Sequence, residues 1–212
     1  AILVAVGRTP NVDGLDLAAA GVAFDATGVL VDDHLCTTNR RVYAAGDICS
    51  PHKFTHAADA MARVVLQNAL FFGRKNASAL LIPRATYTDP EIAHVGLSAK
   101  EAQQRGDAVA TLTVPLSEVV RAVLEDETEG FARVHVDRRS GKILGATMVA
   151  SHAGELIGEM AVAMQAGVSM SAIGFTIHPY PTQSEAWKRL GDEWNRTRLS
   201  PSIRSILRWL LR

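Results

Sequence analysis

The chain has 212 residues, 48% of them apolar and 21% charged, which excludes a disordered or low-complexity polymer. Lysine plus arginine and aspartate plus glutamate each number 22, so the formal net charge is zero and no broad nucleic-acid-binding surface is expected. Its two cysteines, Cys36 and Cys49, fit neither a disulfide framework nor a zinc site, so the expected setting is reducing and cytoplasmic.

The chain opens on Ala1-Ile2-Leu3-Val4-Ala5-Val6-Gly7, a strand-like run without an initiator methionine, and reads as part of a longer protein. No stretch is long and apolar enough for a membrane span. Gly28-Val29-Leu30-Val31 reads as a short strand, and Val42-Tyr43-Ala44-Ala45 as a buried one that runs into Gly46-Asp47. Two readings of that Gly-Asp are open. A ligand can sit beyond the carboxyl end of the strand, with glycine clearing space and aspartate accepting hydrogen bonds from hydroxyls. Equally, the pair can be an ordinary tight turn.

Helical periodicity follows from Ala57 to about Phe72, with Ala58, Met61, Ala62, Val65 and Ala69 on one face and Gly73 as the stop. Pro83 marks a domain boundary. Beyond it, Thr86-Tyr87 and Ile92 to Gly96 read as strands, and Ser98-Ala99-Lys100-Glu101 as a capping box for a helix that stops at Gly106. Ala110 to Pro115 alternates in strand fashion. Phe131 to Val136 and Ile143 to Val149 form a hairpin, followed by an amphipathic helix from Gly154 to Ala166. Strands with helices set beside them predict an α+β layer built on an antiparallel sheet.

Four segments together resemble the C-terminal half of the class I pyridine nucleotide-disulfide oxidoreductases, nearest to mercuric reductase-like members. Val6-Gly7-Arg8-Thr9-Pro10-Asn11 is similar to the exit from the nicotinamide-nucleotide domain, and Thr38 to Asp47 to the second FAD motif. Phe54-Thr55-His56-Ala57 is similar to the start of the helix that meets the flavin. Tyr180-Pro181-Thr182-Gln183-Ser184-Glu185 is similar to a His-Pro-Thr-x-x-Glu motif with its histidine replaced. The resemblance implies the end of a nicotinamide-nucleotide domain over 1–11 and a partial α/β FAD-binding domain over 12–82. A dimerisation domain follows over 83–199, beyond which the residue spacing itself predicts an amphipathic C-terminal helix over 200–212.

It further implies that Gly46, Asp47, Thr55, His56 and Ala57 contact FAD, with His56 acting through its backbone or as a cap. NAD or NADP would be the co-substrate. Tyr180 and Glu185 would serve catalysis across a homodimer, with His178, two residues from Tyr180, as the alternative to it. A histidine can both take and give a proton near neutrality, whereas a phenol is a poor base there and a good hydrogen-bond donor. Tyr180 is therefore expected to steady a thiolate, a metal-thiolate or a quinone-like oxygen of a small-molecule acceptor. Thr182 to Glu185 also reads as a capping box, a structural role for Glu185.

Cys36 and Cys49 are not the redox pair, which in this family is a Cys-x4-Cys near the N-terminus. No cysteine follows Cys49, so mercury delivery by a C-terminal cysteine pair is not expected. No metal site is expected in the chain itself. The tail carries Ile203, Ile206, Leu207, Leu210 and Leu211 on one helical face and Arg204, Arg208 and Arg212 on another. Docking on its own dimer or a neighbouring domain is preferred over an anionic membrane surface. The expected function is the FAD-contacting and dimerising part of an oxidoreductase that passes electrons from NAD(P)H through FAD to a disulfide or metal. By itself the piece is expected to be an inactive, colourless homodimerisation module.

Overall fold

The computed structural model describes residues 1–199 and 209–210. The chain divides into two compact units, Ala1–Leu80 and Leu81–Arg212. The segment expected as an amphipathic helix over 200–212 lies outside the described residues except at Trp209 and Leu210, which are helical and exposed.

The first unit holds a small hairpin, β1 (Phe24–Asp25) with β2 (Gly28–Val29), and one long helix, α1 (Thr55–Leu70). Two expected strands are absent. Residues 1–7 form none, and Ile2, Leu3, Val4 and Val6 are between 73% and 94% exposed. Val42 to Ala45 is half-buried and forms no strand, only an isolated bridge, Cys36 to Tyr43, with backbone bonds to Leu35 and Thr37 on either side of it. Apolar sequence supplies a strand's side chains, but a ladder needs a neighbouring backbone along its length.

The buried stripe of α1 is Ala57, Met61 and Val64, while Ala62 and Ala69 of the expected face are exposed. Spacings of four and three residues turn this stripe onto Leu35, Val31 and Leu80, rotating the helix from the phase that alanine spacing implied. After α1 the left-handed residue is Phe72, with φ 54°, and the Gly73 amide closes back onto the Gln67 carbonyl at 2.9 Å.

The second unit is a five-stranded antiparallel sheet in the order β3-β4-β7-β6-β5. Its strands are β3 (Arg84–Thr86), β4 (Glu91–Gly96), β5 (Val109–Pro115), β6 (Phe131–Asp137) and β7 (Ile143–Ala150). Ser98 and Glu101 form the expected capping box at the start of α2 (Ala99–Gln104). Short α3 spans Val120–Leu124, and α4 (Ala153–Gln165), α5 (Met170–Phe175) and α6 (Glu185–Thr197) follow the hairpin. Ala132, Val134, Val136, Met148 and Ala150 alternate onto one sheet face, where they pack with Met160, Trp187 and Leu190. A register shift at His135/Val136 lets Ile143 and Ala146, three residues apart, both reach that core. The Trp187 indole donates to the Leu156 carbonyl at 3.2 Å and ties α6 to α4. No described helix is long and apolar enough to cross a membrane.

The sheet also buries two histidines. His94 bonds the Gly96 carbonyl through Nε2 and Thr147 Oγ1 through Nδ1, each at 2.9 Å. A carbonyl only accepts, so Nε2 carries the proton and neutral Nδ1 accepts from the hydroxyl. His135 bonds Thr111 Oγ1 through Nδ1 at 2.9 Å, and its buried Nε2 has no partner among the described residues. Burial, more than any neighbouring charge, holds both below the ordinary histidine range. Below about pH 6.5 the unfolded chain therefore binds more protons than the folded one, and stability falls as pH drops toward the folded-state values. The limiting slope is about 1.4 kcal/mol per pH unit for each histidine. Thermal melts between neutrality and mild acid should show this loss, and His135→Leu should flatten it; an unchanged slope would exclude His135 as a source.

Candidate functional site

In the first unit, Gly46 and Asp47 form a turn in which the Gly46 carbonyl accepts from the Ser50 and Cys49 amides at 3.0 and 3.1 Å. Gly46 is buried at φ +84°, and a Cβ there would lie 2.9 Å from the Cβ of Ala58. Glycine therefore lets the turn press against α1. Both readings of the Gly-Asp pair meet here, because it is a turn and it lies beside a helix start. Thr55, His56 and Ala57 form the first turn of α1, which has no capping side chain and no acidic residue. The positive end of this helix is not neutralised by its own first turn.

Asp47 is exposed, and its carboxylate makes no hydrogen bond among the described residues. The Asp47 carbonyl accepts from Lys53 Nζ at 2.7 Å. The His56 ring stacks on Phe54 with centroids 5.3 Å apart. Cys36 and Cys49 are free thiols, and burial pushes the Cys49 thiol up despite nearby Lys53.

In the second unit, a loop over 176–184 links α5 to α6 and carries Tyr180, which is 70% exposed and has no hydrogen bond among the described residues. Phe175 and Ile177, 80% and 93% exposed, precede it. His178 lies differently. Its side chain is 6% exposed, Nε2 meets Glu159 Oε1 on α4 at 2.8 Å, and Nδ1 meets the Thr176 carbonyl at 3.1 Å. Both edges of the ring are engaged, so His178 anchors the loop to α4. At the other end buried Gln183 donates to Glu127 Oε2 at 3.0 Å and to Ser151 Oγ at 3.1 Å.

The expected Thr182 capping box does not form. The Thr182 hydroxyl donates to the Pro179 carbonyl at 2.7 Å, and Ser184 is already helical in its backbone. Glu185 is consequently the first residue of α6 and not its third. Its Oε1 accepts from Arg189 Nε, one turn on, at 2.9 Å, while buried Oε2 has no partner among the described residues. His178, Tyr180 and Glu185 all line one cleft of about 720 Å3. The Glu185–Arg189 and Lys188–Asp192 ion pairs form its wall. The structure brings these three residues to one cleft without joining Tyr180 to Glu185.

Residues 82–190, over half of the chain, match the family described as pyridine nucleotide-disulphide oxidoreductase, dimerisation domain. Residues 1–63 match pyridine nucleotide-disulphide oxidoreductase. The chain belongs to this family. It is similar to mercuric reductase from Staphylococcus aureus, with 36% identity over 88% of this chain and 34% of that protein. Dihydrolipoyl dehydrogenase from Thermus scotoductus shares 39% identity over 87% of this chain and 40% of its own length. Among solved structures, the HOCl-induced flavoprotein disulfide reductase RclA from Escherichia coli superposes with a TM-score of 0.81 at 26% identity, covering 89% of this chain and 44% of that one. The chain thus spans well under half the length of these relatives.

The family is FAD-dependent and uses a pyridine nucleotide. The first-unit residues fit such a group. An uncapped helix start complements an electron-rich ring, the exposed Asp47 carboxylate complements hydroxyls, and the Gly46 turn leaves room where a side chain would not fit. Two residues escaped the sequence reading, Glu159 and Arg189. Arg189 follows Glu185 by four positions, a readable helical pairing, whereas Glu159 reaches His178 only through the fold.

Proposed function

We propose that this chain is the FAD-contacting and dimerising part of a flavoprotein that passes electrons from NAD(P)H through FAD to a disulfide or metal acceptor. Residues 1–11 close the nicotinamide-nucleotide domain, 12–82 belong to the FAD-binding domain and 83–199 to the dimerisation domain. Gly46, Asp47 and the first turn of α1 hold FAD, which when bound supplies the electron transfer. The names of the relatives, mercuric reductase and flavoprotein disulfide reductase, support an acceptor of this class.

The observation that carries this reading is the exposed Tyr180, set among Phe175 and Ile177 on a loop pinned at both ends. On this reading a second copy covers the apolar side chains, and Tyr180 donates a hydrogen bond to the acceptor at the partner's flavin. His178 and Glu185 position rather than react, because each is already engaged, by Glu159 and Arg189. Replacing Tyr180 by phenylalanine tests the catalytic part, as argued in the Discussion.

The dimerising part has its own test on the 212-residue chain. Ultracentrifugation should find a colourless dimer, and Ile177→Asp should convert it to monomer with its circular dichroism unchanged. A monomeric parent chain, or one that retains full flavin absorbance, would contradict this division of labour.

A further inference from the structure

A second groove, of about 460 Å3, lies in the second unit on residues that share nothing with the Tyr180 cleft. It is enclosed by the first residues of β5, the β6–β7 turn and the last turn of α6. Arg138, Arg139 and Arg198 line it, and no carboxylate does, in a chain whose formal charge is zero. Among the described residues none of the three arginines forms an ion pair.

Two of these guanidinium groups are held by partners that carry no charge. Arg138 Nε donates to the Asp107 carbonyl at 2.9 Å, and the Arg198 guanidinium lies 5.6 Å from the Trp194 ring centroid. Each is fixed in place with its charge intact. The nearby Asp137 carboxylate accepts from the amide and hydroxyl of Ser140, at 2.7 and 2.5 Å, and forms no ion pair with the three arginines. Trp194, 3% exposed, lies against Gly141 in the turn, where a Cβ would come within 2.9 Å of the indole nitrogen. That contact locks the spacing between Arg198 on the helix and the arginine pair on the hairpin.

We propose that this groove binds phosphate-bearing anions. Planar guanidinium forks match phosphate oxygens two at a time, and the two held by uncharged partners, Arg138 and Arg198, lose little freedom on binding. The volume falls in the range of about 300–1,000 Å3 typical of small-ligand sites. Free phosphate compounds and phospholipid headgroups share this chemistry, and the experiment separates them.

Inorganic pyrophosphate is titrated calorimetrically into the 212-residue chain at low and high ionic strength. In parallel the chain is sedimented with phosphatidylcholine vesicles containing or lacking phosphatidylglycerol. Binding that fades with salt and weakens at least about tenfold in Arg139→Gln/Arg198→Gln supports the proposal. The arm in which it occurs names the source. Arg139→Gln alone, at an exposed side chain in no ion pair among the described residues, is expected to weaken binding in the same arm with the near-ultraviolet tryptophan spectrum unchanged. Absence of binding in both arms, or affinity unchanged in the double variant, overturns it.

Discussion

Replacing Gly191 by alanine is expected to lower the stability of the second unit by about 2–3 kcal/mol and to loosen the loop that carries Tyr180. Helix propensity alone predicts the opposite, because alanine is favoured over glycine by about 1 kcal/mol inside a helix. Sterics decide the sign. A Cβ on Gly191 would lie 2.3 Å from the Gly174 amide nitrogen, 2.5 Å from its Cα and 2.9 Å from the Met170 carbonyl oxygen. A Cβ on Gly174 would in turn crowd Gly191, at 2.8 Å from its carbonyl carbon. These are backbone atoms that no rotamer change can move aside. The helices α5 and α6 therefore have to separate, and they flank the 176–184 loop. Gly158, in the middle of α4 with nothing within 4 Å of its missing Cβ, is the internal control. Urea denaturation should show Gly191→Ala well below the parent chain and Gly158→Ala at or slightly above it. The reverse order would mean that the two helices do not meet at their glycines.

Tyr180→Phe is expected to separate the two half-reactions of the full-length flavoprotein. Reduction of the flavin by the pyridine nucleotide should proceed at the parental rate, while transfer to the acceptor slows by about a hundredfold, the usual cost of losing one donor aimed at developing charge. The substitution removes a single oxygen from an exposed side chain that makes no hydrogen bond in the chain, so folding should be untouched. Stopped-flow absorbance reads both steps. Equal rates of acceptor reduction in the two proteins would reduce Tyr180 to packing. Tyr180→His should restore little general acid–base function, because one oxygen of the carboxylate that would orient an imidazole is held by Arg189 and the other is buried. Adding Arg189→Met to Tyr180→His should raise the rate above either single variant.

The second unit was more legible in the sequence than the first, for a physical reason. The hairpin of β6 and β7 and the capping box of Ser98 and Glu101 are local patterns, complete within a few residues of their own signals. Strand expectation failed at Val42 to Ala45 and over 1–7 because an apolar run shows what a strand would bury and says nothing of which backbone pairs with it. Helices α3 and α5, of 5 and 6 residues, are too short to display a period. At the site, Tyr180 and Glu185 came from a motif and His178 from its place two residues before Tyr180, yet the opposite fates of Tyr180 and His178 did not follow from either. Residues two apart in an extended segment share a side, and here one is exposed while the other is buried on Glu159. The failed capping box at Thr182 has the same origin, since its hydroxyl is claimed by the Pro179 carbonyl.

The loop between α5 and α6 turns its polar groups inward and its apolar groups outward. His178 and Gln183 are bonded within the unit, while Ile177 and Tyr180 stand in the open next to Phe175. The bonds that hold it all lie within one copy of the unit. Association through such a surface buries apolar area without a folding step, so its heat-capacity change should match the contact area alone. A partner that meets this surface is expected to dock on a preset shape.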